Sequence, residues 1–192
     1  NLSVQTPGSF VITFILLISL GFGACQFSDA TVAKGDGNIS EESFYPSAFD
    51  AIDLQGIFNV YLSSGTQPSV TIETDENLKE LIKTEVEKGV LKIYAEKDVV
   101  LRPSKLDVYI TYKDLKHISV GGACRISAME SIHSRELVLD TSGAVDIDLS
   151  IQTRSLLTKV SGAGNIKLQG QAKKHLIELS GASNLRAEDL IT

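Results

Sequence analysis

Ser-Gly-Ala occurs three times in the second half of the chain, starting at Ser142, Ser161 and Ser180, and Gly121-Gly-Ala is a variant of the same unit. The central glycines, Gly122, Gly143, Gly162 and Gly181, are spaced 21, 19 and 19 residues apart. The flanks keep step with them. Val120, Thr141, Val160 and Leu179 stand two residues before each glycine, and Ile126, Ile147, Ile166 and Leu185 stand four after. Between these positions apolar and polar residues alternate, as in Val145-Asp-Ile-Asp-Leu149, which is strand periodicity. A strand unit this short cannot bury its inner face alone, so the units must stack. The pattern predicts an all-β fold, a parallel β-helix (solenoid) of about 19–21 residues per coil, with strands ~4.8 Å apart. Glycine at each corner permits the positive φ of a sharp bend.

Charge supports the same register. Stacking sets Arg125 beside Asp146, Asp148 beside Lys167, Asp140 beside Lys159, and Lys159 beside Glu178, with Lys167 against Arg186 as the one unfavourable pair. Opposite charges on adjacent strands each stabilise by a few tenths of a kcal/mol. The unit also occurs earlier, because Ile52-Asp-Leu-Gln-Gly56 aligns with Ile177-Glu-Leu-Ser-Gly181. Between Gly56 and Gly122 the period is lost. Strands are expected at 69–73, 90–94 and 106–111, with a helix over 76–86 from the spacing of Leu78, Leu81, Ile82 and Val86, capped by Thr74 or Asp75 and ended by Gly89. This strand-helix-strand insert is expected to cap the first coil.

The first 28 residues carry no charge, and Phe10–Leu20 is an apolar run followed by Gly21-Phe-Gly-Ala-Cys25. The run is shorter than the roughly 20 residues a membrane-spanning helix needs. Small residues before a cysteine resemble the cleavage site of a bacterial lipoprotein, with Cys25 as the lipidated residue, although Phe22 stands where Leu, Val or Ile is usual. No basic residue precedes Lys34 and the chain starts at Asn1, so the start is expected to be truncated. The far end lacks a cap and is expected to be truncated as well. The division is therefore a signal peptide over 1–24, a Gly/Ser/acid-rich tether over 25–47, and the β-solenoid over 48–192.

With these features together, the chain resembles the putative auto-transporter adhesin head GIN domain family, common in Bacteroidota lipoproteins. The matching segments are Phe49-Asp-Ala-Ile-Asp-Leu-Gln-Gly56-Ile-Phe-Asn-Val-Tyr61, the Ser-Gly-Ala repeats and the insert between them. The resemblance covers residues 48–192 and implies a right-handed parallel β-helix on a secreted or lipid-anchored chain. It carries no catalytic residues over.

A net charge of −6 argues against a nucleic-acid partner. Two cysteines are too few for a thiolate zinc site, and His117, His133 and His175 occupy unrelated repeat positions, so neither metal nor cofactor is expected. The serines of the repeat lie outside any Gly-x-Ser-x-Gly context and lack a His or acid partner in a matching column. The leading expectation is a non-enzymatic, lipid-anchored module of the cell envelope, on the outer membrane, acting as an adhesin or a binding or structural element. Its partners would be the membrane, through the anchor, and a glycan or protein ligand. The corner glycines Gly56, Gly122, Gly143, Gly162 and Gly181 would be its structural residues. The alternative is a polysaccharide lyase or hydrolase using Asp146 and Asp148, since glycoside hydrolysis needs paired carboxylates. Against that, the chain has no Trp, and no Tyr or Phe after Tyr112, to serve as a sugar platform. Self-association through a sheet end is a third reading.

Overall fold

The alternating segments on either side of the glycines form three long strands: β3 (Ala51–Ser64), β9 (His117–Ala128) and β11 (Glu136–Arg186). The structure, a computed structural model, describes residues 30–187 and 189–191; the expected signal peptide and Cys25 lie outside the described residues. Strand β9 lies parallel between the other two, with Gly56 paired to Gly122 and Gly122 to Gly143. β11 is 51 residues long. Drawn straight it would span roughly 170 Å. Instead it laps back on itself, so that Gly162 lies against the backbone of Gly143, Gly181 against Gly162, and Gly170 against Ile151. The architecture is all-β, its sheet curled and open like a half-barrel.

The inward files supply the core. Val60, Ile126, Ile147 and Ile166 are each 1% exposed, with Leu185 partly buried behind them. Two residues before the glycines, Leu54, Val120, Thr141 and Val160 are also buried, while Leu179 on the last lap is 51% exposed. Along the glycine file the backbones approach so closely that a Cβ on Gly122, Gly143, Gly162 or Gly181 would overlap the carbonyl oxygen of the glycine beneath it. At Gly56 the obstacle is instead the ring of Phe58.

The segment between Gly56 and Gly122 covers the other edge of β3. Strand β4 (Ser69–Asp75) runs antiparallel to β8 (Leu106–Tyr112), which pairs in parallel with Asn59–Ser64 of β3. β6 (Val90–Ala95) pairs in parallel with Ala51–Gln55. The helix expected over 76–86 is not formed. A 3₁₀ turn over Glu76–Leu81 gives way to β5 (Ile82–Glu87), which pairs antiparallel with β6. Ile82, Thr84 and Val86 satisfy a period of two as well as Leu78, Leu81 and Ile82 satisfy 3.6. The hairpin decides between them: Lys88 and Gly89 both take positive φ, 51° and 81°, as a tight two-residue turn requires.

The expected tether also changes. Within 25–47, β1 (Thr31–Lys34) pairs in parallel with β7 (Val99–Arg102), and β2 (Ile39–Phe44) pairs antiparallel with β4. Both are peripheral strands with mostly exposed, polar side chains, which removes the alternation that marks buried strands. The remaining strands are short: β10 (Ile132–His133) and β12 (Leu190–Ile191) each pair in parallel with β11.

Asp75 ties these outer strands together. It occupies the N-cap position of the 3₁₀ turn without capping it. Its carboxylate accepts the N–H groups of Gly37 and Ser104, both at 2.7 Å, and faces Gly35, where a Cβ would collide with it. Burial pushes its pKa up, but the hydrogen bonds from Gly37, Ser104 and Lys105 outweigh burial and hold the carboxyl below its ordinary value of 3.8. A depressed carboxyl stabilises the fold above the unfolded value and loses that contribution as pH falls through the folded value. The melting temperature should therefore drop on acidification below pH 3.8, and Asp75→Asn should remove part of that slope; thermal melts of both proteins from pH 7 to 2.5 measure it.

Candidate functional site

Alternation along each lap sends every second side chain outward, and stacking lines these into files. One strip carries the charges singled out in the sequence. Arg125 Nε lies 3.2 Å from Asp146 Oδ2, Lys167 Nζ 3.6 Å from Asp148 Oδ2, and Lys159 Nζ 3.1 Å from Glu178 Oε2. Asp140 and Lys159 form no ion pair among the described residues; Lys159 turns to the next lap instead. Each pair is largely exposed and contributes at most about 1 kcal/mol. The two carboxylates considered for glycoside hydrolysis, Asp146 and Asp148, are thus each held by a cation.

The histidines do not converge. His175 Nε2 lies 2.9 Å from Thr158 Oγ1, and burial lowers its pKa below the ordinary histidine value. Nε2 of His117 is buried with no hydrogen-bond partner among the described residues, and His133 is exposed and lies beside Gln152 of the next lap. Among the described residues there is no group of three or more His, Cys, Asp or Glu suited to a metal ion. Ser142 Oγ donates to the Val120 carbonyl at 3.4 Å, a backbone contact between laps. Cys124 is buried between Phe58 and Val145 in their file, with its Sγ 3.6 Å from the Gly56 carbonyl oxygen. Burial pushes its thiol up, away from thiolate reactivity.

A second outward surface lies eight to ten residues before the glycines, and sequence reasoning passed it by. His133 pairs with Gln152, and the N–H groups of Arg154 and Ser155 donate to the Arg135 carbonyl. The contact of Gly170 on Ile151 carries the same register one lap further. His133, Gln152 and Gln171 therefore form one file, and Arg135, Arg154 and Lys173 a second. All six are exposed and line an open groove of about 650 Å³, with Asp114 at one end. Among the described residues none of the three cations forms an ion pair, in contrast to the paired strip. The signal was present in the sequence, since Arg135, Arg154 and Lys173 each stand eight residues before a repeat glycine.

These features define a class: a lap-stacked all-β domain with polar files on its surface and apolar files within. The chain belongs to the family described as putative auto-transporter adhesin, head GIN domain, whose profile matches residues 48–192. Its fold is similar to that of a putative adhesin from Bacteroides fragilis, with a TM-score of 0.76 at 23% identity, covering 82% of this chain and 74% of that one. It is also similar to a putative lipid binding protein from Parabacteroides distasonis (TM-score 0.67, 21% identity, 83% of this chain and 78% of that one). A putative adhesin from the same species matches with a TM-score of 0.62 at 21% identity, covering 83% and 77%. No protein with a curated description matches the chain in sequence. Among the described residues no helix is long and apolar enough to cross a membrane.

Proposed function

We propose that this chain is a non-enzymatic, adhesin-like binding module of the bacterial cell envelope, built as a right-handed parallel β-helix and anchored by lipid at Cys25. Family membership supports the adhesin-like reading. The parallel pairing of β3, β9 and β11 at intervals of one lap supports the β-helix. The observation behind the non-enzymatic reading is the pairing of Asp146 with Arg125 and of Asp148 with Lys167, exposed cross-strand ion pairs of the kind that support a strand stack.

The anchor has a geometric consequence. β1 starts at Thr31, so only about six residue steps separate it from Cys25. At most ~3.6 Å per residue, that leash holds the start of β1 within roughly 20 Å of the lipid surface. Two acyl chains supply the stable hold that one does not. Partners would therefore be met close to the membrane.

The test is a panel of envelope and host-surface polysaccharides offered to the purified protein, scored for retention and for new reducing or unsaturated ends. Retention without cleavage is the expected result. Cleavage that disappears in Asp146→Asn or Asp148→Asn would establish the lyase or hydrolase instead.

A further inference from the structure

We infer that the groove over Arg135, Arg154 and Lys173 binds a linear acidic polysaccharide, with one carboxylate of a polyuronate received on each lap. The inference rests on the binding-module reading and adds the ligand class. Its basis is a charge arrangement that the fold alone does not explain. Three like charges sit on successive parallel strands, ~4.8 Å apart, where like neighbours destabilise a sheet. The strip carrying Arg125, Asp146, Asp148 and Lys167 pairs opposite signs across its laps, with a single like-charged step at Lys167–Arg186. In the groove no such alternation occurs after Asp114, and the three cations have no ion-pair partner among the described residues. A ligand with anions repeated along its length supplies the missing counter-charge.

The neighbouring file narrows the chemistry. Gln152 and Gln171 present amides that both donate and accept, beside His133, and such groups suit a polymer dense in hydroxyls. Among the described residues no aromatic ring other than the His133 imidazole lines the groove, so the ligand is held by charge and hydrogen bonds and not by stacking. Nucleic acid would meet a chain of net charge −6. The groove runs across laps, so a chain lying along it meets the cations at a regular interval, as a linear polymer can and a compact anion cannot.

The experiment titrates the full chain with polygalacturonate at low and moderate salt, beside neutral dextran and anionic phospholipid vesicles. Polygalacturonate should bind and weaken as salt rises, and dextran should not bind. The triple variant Arg135→Gln/Arg154→Gln/Lys173→Gln should lose at least tenfold in affinity at an unchanged or raised melting temperature. Lys159→Gln/Lys167→Gln, on the other strip, should bind like wild type. Failure of wild type to bind polygalacturonate, wild-type affinity in the triple variant, or preference for vesicles over the polymer would each overturn the inference. The two readings fail separately. Wild type that ignores polygalacturonate but is retained on another glycan removes the groove and leaves the binding module. Depolymerisation of polygalacturonate by wild type removes the non-enzymatic module and leaves the groove.

Discussion

Gly143→Val should abolish folding or lower the melting temperature by roughly 8–16 °C. Gly143 has φ 108° and sits between Gly122 and Gly162 in the glycine file. A residue with a Cβ resists that φ, and a β-branched one resists it most, at a cost of about 1–3 kcal/mol. The steric cost is greater. A Cβ here would overlap the carbonyl oxygen of Gly122, which belongs to the backbone ladder and cannot rotate away. Separating the two strands would break the pairing of β9 with β11, which runs from Val138–His117 to Asp148–Ser127. A combined cost of about 4 kcal/mol is a large part of a typical stability of 5–15 kcal/mol. It corresponds to roughly 8–16 °C in a chain of this size. Gly37→Val is a useful contrast, because Gly37 also has positive φ, 85°, but open space around it. It should cost only the backbone strain. Circular-dichroism melts of the two variants separate conformation from collision, and equal losses would sink the close-approach explanation.

Ile147→Ala and Asp146→Ala are neighbours in sequence and should differ several-fold in effect. Ile147 is 1% exposed in the inner file, between Ile126 and Ile166. Truncating a buried isoleucine costs about 2–5 kcal/mol through lost burial and the cavity left behind. The files on either side are continuous, so the strands cannot close over the gap without disturbing the ladder. Asp146 points outward, its side chain 56% exposed, and pairs with Arg125. Losing an exposed pair costs at most about 1 kcal/mol. Denaturant titrations should therefore show a large loss at 147 and a small one at 146. Comparable losses would mean that period-two alternation does not govern this lap.

Much of this arrangement is legible from residue spacing. The interval of 19–21 residues sets the register, and the alternating positions then name the inner files, because strand side chains must alternate faces. Three of the four favourable charge neighbours read from that register form ion pairs. The pairing of Ile52-Asp-Leu-Gln-Gly56 with Ile118–Gly122 likewise follows from its likeness to the repeat. What stayed hidden has physical causes. The stretch 76–87 fits two periods at once, and only the partner strand β6 and the turn at Lys88-Gly89 choose between them. Strands β1 and β2 lie at the periphery with little to bury, so they read as a polar linker. The cation file was missed because it stands eight residues from the glycines, beyond the flanks where apolar alternation draws attention.

Methyl-labelled isoleucine in a nuclear Overhauser experiment addresses the stacking of laps most directly. If each lap lies in register on the one before, Ile147 methyls should show cross-peaks to Ile126 on one side and Ile166 on the other. Ile126 and Ile166, two laps or roughly 10 Å apart, should show none or only weak ones. Cross-peaks from Ile147 to neither residue would contradict the stacked arrangement and everything inferred from it.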